Sequence, residues 1–196
     1  MKRKFQQLAL ILTCSAVAAC STSKEAQPVV YIKKSPVSNQ WVADKEGELR
    51  ESIKGSPFTL RSEKGKWIVT APASESFNPD RPGLLMPQVL RPITQIAKTL
   101  QSNPDSAVLV LGHSDFAGNT RSNHELSADR AKAVASIFRL SGFKHGRMMH
   151  LGMGNSYSLG HGQNNRVEII ITHSTEMQGL MAEYHPVHMR QLASNR

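Results

Sequence analysis

Apolar positions are spread unevenly along the 196-residue chain, and their spacing changes from one segment to the next. Residues 1–19 join a basic start, MKRK, to an apolar run, FQQLALILTCSAVAA. This is the pattern of an export signal, too short and wrongly flanked for a spanning helix. Residues 20–57 mix Ser, Pro, Lys and Gln with apolar patches at 29–32 and at Trp41-Val42. No period of 2 or 3.6 persists there, which predicts a tether whose apolar patches either dock on a partner or fold back on the domain. Order sets in at Phe58. FTLR and KWIVTAP flank Ser62-Glu63-Lys64-Gly65 and predict two short strands joined by a tight turn. Beyond a polar loop at 76–83, Leu85, Val89, Ile93, Ile96 and Leu100 recur at intervals of three and four, as an amphipathic helix requires. Pro87 suits its first turn, whereas Pro92 should kink the helix or delay its start.

The continuous apolar run at 107–111 (AVLVL) predicts a strand covered on both faces. Ser122 and Glu125 have the spacing of a capping box for the next helix. Its apolar face is Leu126, Val134, Ile137 and Phe138, and Gly142 is placed to end it. Strands follow at 147–153 and 166–172; in the second, Val167, Ile169 and Ile171 point one way and Glu168 the other. The order strand–helix–strand–helix–strand–strand predicts an α/β domain over 58–172, with helices covering one face of a mixed sheet. The tail, 173–196, lies outside this pattern. MQGLMAEYH has the makings of a short helix that Pro186 interrupts, so the expectation is a frayed end or, more sharply, a partner-binding helix.

Charge narrows the class of partner. The formal net charge is +9, and it falls to +6 once Lys2, Arg3 and Lys4 leave with the signal. A basic surface fits anionic lipid, the cell wall or an acidic protein. No basic helix interleaved with stacking aromatics is present, so nucleic acid is not the expected partner. Catalysis is not expected either. His113, Ser114 and Asp115 are sequence neighbours, whereas a triad converges from separate segments. Phe116 stands where a G-x-S-x-G elbow needs its second Gly. The eight histidines show no metal-ligand spacing, and no cofactor is implied.

One stretch does carry recognition chemistry. Asp115 sits just past the 107–111 strand, and Arg130 falls about two turns into the following helix. This arrangement brings an anion and a cation to one small cleft, which suits a zwitterionic ligand. A guanidinium fork pairs bidentately with a carboxylate, as Lys would not. The alternatives are that the two residues pair with each other, or that Asp115 caps a turn.

Gly112-His113-Ser114-Asp115, Gly118, Asn123, Leu126-Ser127, Arg130-Ala131 and Val134 resemble the peptidoglycan-binding motif of OmpA-like domains. Gly152-Met153-Gly154 and Asn165-Arg166-Val167-Glu168 are similar to that family's later glycine turn and closing strand. The resemblance covers about 58–172 and implies a βαβαββ two-layer sandwich. It further implies non-covalent grip on the diaminopimelate of the peptidoglycan stem peptide. On this resemblance Asp115 holds the ligand's ammonium and Arg130 its carboxylate. Asn123 lies near the ligand, Gly118 permits close approach of the 116–118 backbone, and Arg166 is peripheral. The 155–164 loop is shorter than the family's and alters the far wall of the cleft; Ser114 replaces a more frequent Thr.

Val17-Ala18-Ala19-Cys20 resembles the lipobox of bacterial lipoproteins. It implies that Cys20 is diacylated and becomes the mature N-terminus, and Ser21 matches the sorting rule for the outer membrane. Several acyl chains make such anchoring stable. With Cys14 removed and Cys20 lipidated, no disulfide framework is expected. The 20–57 tether, fully extended, would reach at most roughly 120 Å. Basic lipoproteins of this layout are also similar to an accessory protein of the Dot/Icm type IVB secretion core, which implies that 21–57 and the tail contact other subunits. The rival to wall anchoring is a structural subunit whose domain makes protein contacts with little peptidoglycan binding.

Overall fold

The computed structural model describes residues 37–115, 119–157 and 164–194. Five strands form one mixed sheet in the order β1-β2-β5-β3-β4. They are β1 (Thr59–Glu63), β2 (Lys66–Pro72), β3 (Ser106–His113), β4 (Met148–Gly152) and β5 (Arg166–His173). All neighbours are antiparallel except β3 and β4. That parallel pair needs a crossover, and α4 (Thr120–Leu140) supplies it. The expected α/β sandwich is therefore present, with α3 (Pro87–Gln101) and α4 on one face of the sheet.

Local signals explain most of these elements. The β1–β2 register closes on Glu63↔Lys66, leaving Lys64 and Gly65 as a two-residue turn with φ of 49° and 79°. Two successive positive φ values match the twist of a hairpin, and Gly65 accommodates the second without strain. A short helix, α2 (Ala73–Ser76), follows β2. α3 starts at Pro87 and runs through a buried Pro92, so Pro92 does not delay its start. α4 ends as its sequence predicts. Gly142 takes φ 87°, Gly142 N donates to Arg139 O and Phe143 N to Phe138 O, and the Phe138 and Phe143 rings meet edge to face. Its start differs from expectation. The cap is Asn119, whose Oδ1 accepts from Ser122 N at 2.8 Å, so the helix begins before Ser122. Asn caps as well as Ser, and the earlier start adds a turn.

Both flanks also depart from the reading as a tether and a frayed end. Residues 37–53 form α1 (Val37–Ile53). Leu49 is buried in the core beside α3, and Ser52 Oγ lies 3.3 Å from Thr99 Oγ1. Ion pairs one turn apart, Lys45–Glu48 and Arg50–Glu46, line its exposed side. One buried leucine among charged residues gives no helical period to detect, and packing on α3 decides the matter. The tail forms α5 (Met177–Ser194), which continues past Pro186. Leu180, Met177, Met181, Tyr184 and Val187 pack on Ile68, Leu109, Leu111, Leu151, Met153 and Ile170, the face of the sheet turned away from α3 and α4. His188 Nδ1 lies 2.8 Å from Gly152 O on the edge strand β4, where a side chain engages an otherwise open backbone group.

The contact that positions the rest is between α4 and the parallel strands. Gly112 and Gly152 are partners in the β3–β4 register. A Cβ on Gly112 would lie 1.8 Å from Ser127 O, and one on Gly152 would lie 2.7 Å from Ala128 Cβ. Only glycine lets the helix backbone come this close.

Two stability predictions follow from these contacts. Leu180→Ala removes a side chain that is 6% exposed and should cost about 2–5 kcal/mol in urea denaturation. A loss below ~0.5 kcal/mol, the value for a surface change, would mean α5 is not part of the folded core. Gly112→Ala forces α4 off the sheet and should cost at least ~1–3 kcal/mol. An unchanged midpoint would show that the helix is not seated on this glycine.

Candidate functional site

The close seat of α4 sets the site. Ser127, which lies over Gly112, donates to His124 O at 2.8 Å and accepts from Gly154 N at 2.9 Å. Asn123, Ser127 and Arg130 are spaced by four and three, so all three share the helix face turned toward the strand ends. Past the end of β3, Ser114 N donates to Gly154 O at 2.8 Å, which fixes the chain just before Asp115. Asn123 Nδ2 donates to Asp115 O at 3.1 Å. The Asn123 amide therefore holds the turn that carries Asp115; the resemblance had put it near the ligand.

Arg130 is held on several sides. Nε donates to Pro82 O at 2.9 Å, Nη1 donates to Asn165 Oδ1 at 3.1 Å, and the guanidinium lies 5.4 Å from the centre of the Phe77 ring. The residue is only 7% exposed. Burial pushes the guanidinium below its ordinary pKa, and the Asp115 charge works in the opposite direction. Asn165 completes the arrangement, because its Nδ2 donates to Asp115 Oδ2 while its Oδ1 accepts from Arg130. Asp115 N also donates to Asn165 Oδ1, at 3.3 Å. Acid and guanidinium are thus joined through one neutral carboxamide. A cleft of about 820 Å³ opens here, with Arg130, Asn165 and Arg166 on one side and Phe77, Pro82 and Thr70 among its other walls.

Arg166, expected at the periphery, lines this cleft, but its guanidinium is engaged elsewhere. Nε donates to Glu168 Oε1 at 3.1 Å and Nη2 donates to Tyr157 O at 3.0 Å. Arg61 Nη2 reaches the same Glu168 oxygen at 3.1 Å, and His113 Nε2 stands 3.5 Å from Oε2. Burial alone would raise the Glu168 carboxyl. The hydrogen bond and charge of His113, the Arg166 charge and the hydrogen bond from Arg61 outweigh it and hold the pKa at about 2. His113 Nδ1 lies 3.2 Å from Ser156 O, so the same cluster ties down the near end of the 155–164 loop. Gly118 and the 116–118 backbone lie outside the described residues, as do Cys20, the apolar patch at 29–32 and most of the shortened loop. Asn165 belongs to the closing-strand motif, and the motif resemblance gives it no role at the site. Its position directly before Arg166 was the available signal.

The residues 77–168 match the model of the OmpA family. The outer-membrane lipoprotein YfiB of Pseudomonas aeruginosa is 31% identical over 121 residues, covering 58% of this chain and 70% of YfiB. The chain belongs to the OmpA family. A protein of Escherichia coli (strain K12) named "Probable lipoprotein YiaD" is 30% identical over 134 residues; the match covers 65% of this chain but only 61% of YiaD. Among solved structures, the cell wall anchor of the T6SS from Pseudomonas aeruginosa superposes with a TM-score of 0.54 at 25% identity, over 65% of this chain and 95% of that one.

The Glu168 cluster predicts an acid-dependent stability. A carboxyl whose folded pKa lies near 2, against an ordinary value of 4.5, stabilises the fold above pH 4.5. That stabilisation, on the order of 3 kcal/mol, is lost as pH falls from 4.5 toward 2. Glu168→Gln should therefore be clearly less stable than wild type at pH 7, and the gap should narrow below pH 4.5 and close only as pH approaches 2. A gap that stays constant with pH would show that the charge of Glu168 is not what stabilises the cluster.

Proposed function

We propose that this protein is an outer-membrane lipoprotein that binds peptidoglycan without covalent bonds and anchors the membrane to the cell wall. The observation that carries the reading is the Asp115–Asn165–Arg130 constellation beside the cleft. An acid and a guanidinium held one carboxamide apart match the ammonium and carboxylate of an amino-acid head group, and diaminopimelate exposes such a head group in the stem peptide. The motif resemblance assigns the same two residues to that ligand. Family membership and the likeness to a secretion-system wall anchor support the anchoring role.

Cys20 carries the lipid in this reading. Between Cys20 and the start of α1 at Val37 the chain spans at most about 60 Å. That is half the reach expected of a tether extending to residue 57. A single cleft built on a few ionic contacts binds weakly. The wall is a polymer and the protein is confined to a membrane, so effective concentration supplies the retention. In this reading the protein serves an envelope secretion complex of the type IVB kind, to whose accessory lipoprotein its layout is similar.

Sedimentation with purified sacculi tests this, using the mature chain with Cys20→Ser to remove the lipid site. Wild type should pellet. Asp115→Ala and Arg130→Ala should each bind roughly 10- to 100-fold more weakly, as expected for loss of one charged hydrogen-bonding partner. Equal behaviour of all three proteins would remove the cleft as the wall-binding site and favour a domain that makes protein contacts only.

A further inference from the structure

Asn165 stands between Asp115 and Arg130, and with Arg130 it lines the cleft. Its carboxamide donates from Nδ2 to Asp115 Oδ2, and its Oδ1 accepts from Arg130 Nη1 and from Asp115 N. A carboxamide places a donor and an acceptor on one carbon. In the same order of polarity, an amino acid places an ammonium and a carboxylate about one carbon. The backbone beneath is fixed, since Asn165 O accepts from Ala73 N at 3.0 Å and the next residue, Arg166, pairs with Pro72 in the sheet. Arg130 is likewise restrained by Pro82 O and Phe77.

We propose that Asn165 is a spacer that stands in for the ligand's head group. In the free protein it keeps Asp115 and Arg130 from closing on each other, and it gives way when the zwitterion enters. This deepens the proposed function and rests on the reading of the cleft as a zwitterion site.

The energetic reason lies in what the ligand must displace. If the acid and the guanidinium closed into a direct pair, an incoming amino acid would break one charge–charge contact to make its own, with little net gain. With Asn165 in place, the ligand displaces hydrogen bonds in which one partner is neutral. It makes new ones in which both partners are charged, and such bonds are roughly twice as strong. The carboxamide is itself uncharged, so it neutralises neither group. An aspartate at this position would instead pair with Arg130 and repel Asp115.

The test combines a ligand-free crystal structure of Asn165→Ala with calorimetric binding of a synthetic stem tripeptide ending in diaminopimelate. Thermal melts establish that each variant is folded. In Asn165→Ala, Asp115 and Arg130 should form a direct ion pair and tripeptide affinity should fall about 10-fold. Asn165→Asp, which is isosteric and keeps the strand start, should lose at least as much. The proposal is overturned if the alanine variant keeps its two charges apart, or if either variant binds the tripeptide as well as wild type or better. Should wild type itself fail to bind, the zwitterion reading of the cleft fails. The Asn165→Ala structure then still decides whether Asn165 is the spacer.

Discussion

The structure depends on a helix lying closer to a sheet than side chains normally allow. Gly112 and Gly152, paired across β3 and β4, leave room for the α4 backbone at Ser127 and Ala128. A methyl group at either position would push the helix outward. With it would move Arg130, at the next turn, and Asn123, at the preceding one. Because Asp115 follows the same strand that carries Gly112, one packing contact fixes the acid and the guanidinium relative to each other. Ser127 then reinforces the seat through its hydroxyl, so helix, strand end and the Gly154 turn behave as one unit.

Two charge clusters built on this frame illustrate different uses of ions in a protein. Around Glu168 a buried acid meets the buried Arg166 and His113, and Arg61 reaches it from the surface. Such a cluster compensates the cost of burying the acid and ties the closing strand to its neighbours. At the cleft, the acid and the guanidinium are linked through a neutral group instead. The first arrangement leaves little for a ligand to improve upon. The second lies beside an open space, with Arg130 and Asn165 in its wall. Arg166 and Asn165 are adjacent in sequence and both line the cleft, yet their polar groups engage different partners: Arg166 bonds Glu168 and Tyr157 O, and Asn165 bonds Asp115 and Arg130.

The legible parts of the chain were those governed by local chemistry. The Lys64-Gly65 hairpin, the Gly142 termination of α4, the alternation in β5 and the spacing of Asn123, Ser127 and Arg130 are all consequences of short-range geometry. Asn119 and Ser122 are both good capping residues three positions apart, so local chemistry alone does not choose between them; in the fold Asn119 Oδ1 accepts from Ser122 N. The α5 helix was half visible. The apolar run at 107–111 already required a strand covered on both faces, and the expected helices covered just one. The tail is what fills the other face, carried past Pro186 by Leu180, Met181, Tyr184 and Val187 packing on the sheet.

By itself the sequence determined the class of fold and placed an acid and an arginine about one helix start. These are properties of periodicity and spacing, which are written in the order of residues. Tertiary structure alone decided that α1 and α5 pack onto the domain, since each is recruited by a surface formed by residues far away in the chain. It also decided the roles of Asn123, Arg166 and Asn165. Each can donate hydrogen bonds to many partners, and the choice among Asp115 O, Glu168 and the Asp115 carboxylate is made by which strand ends the fold brings together.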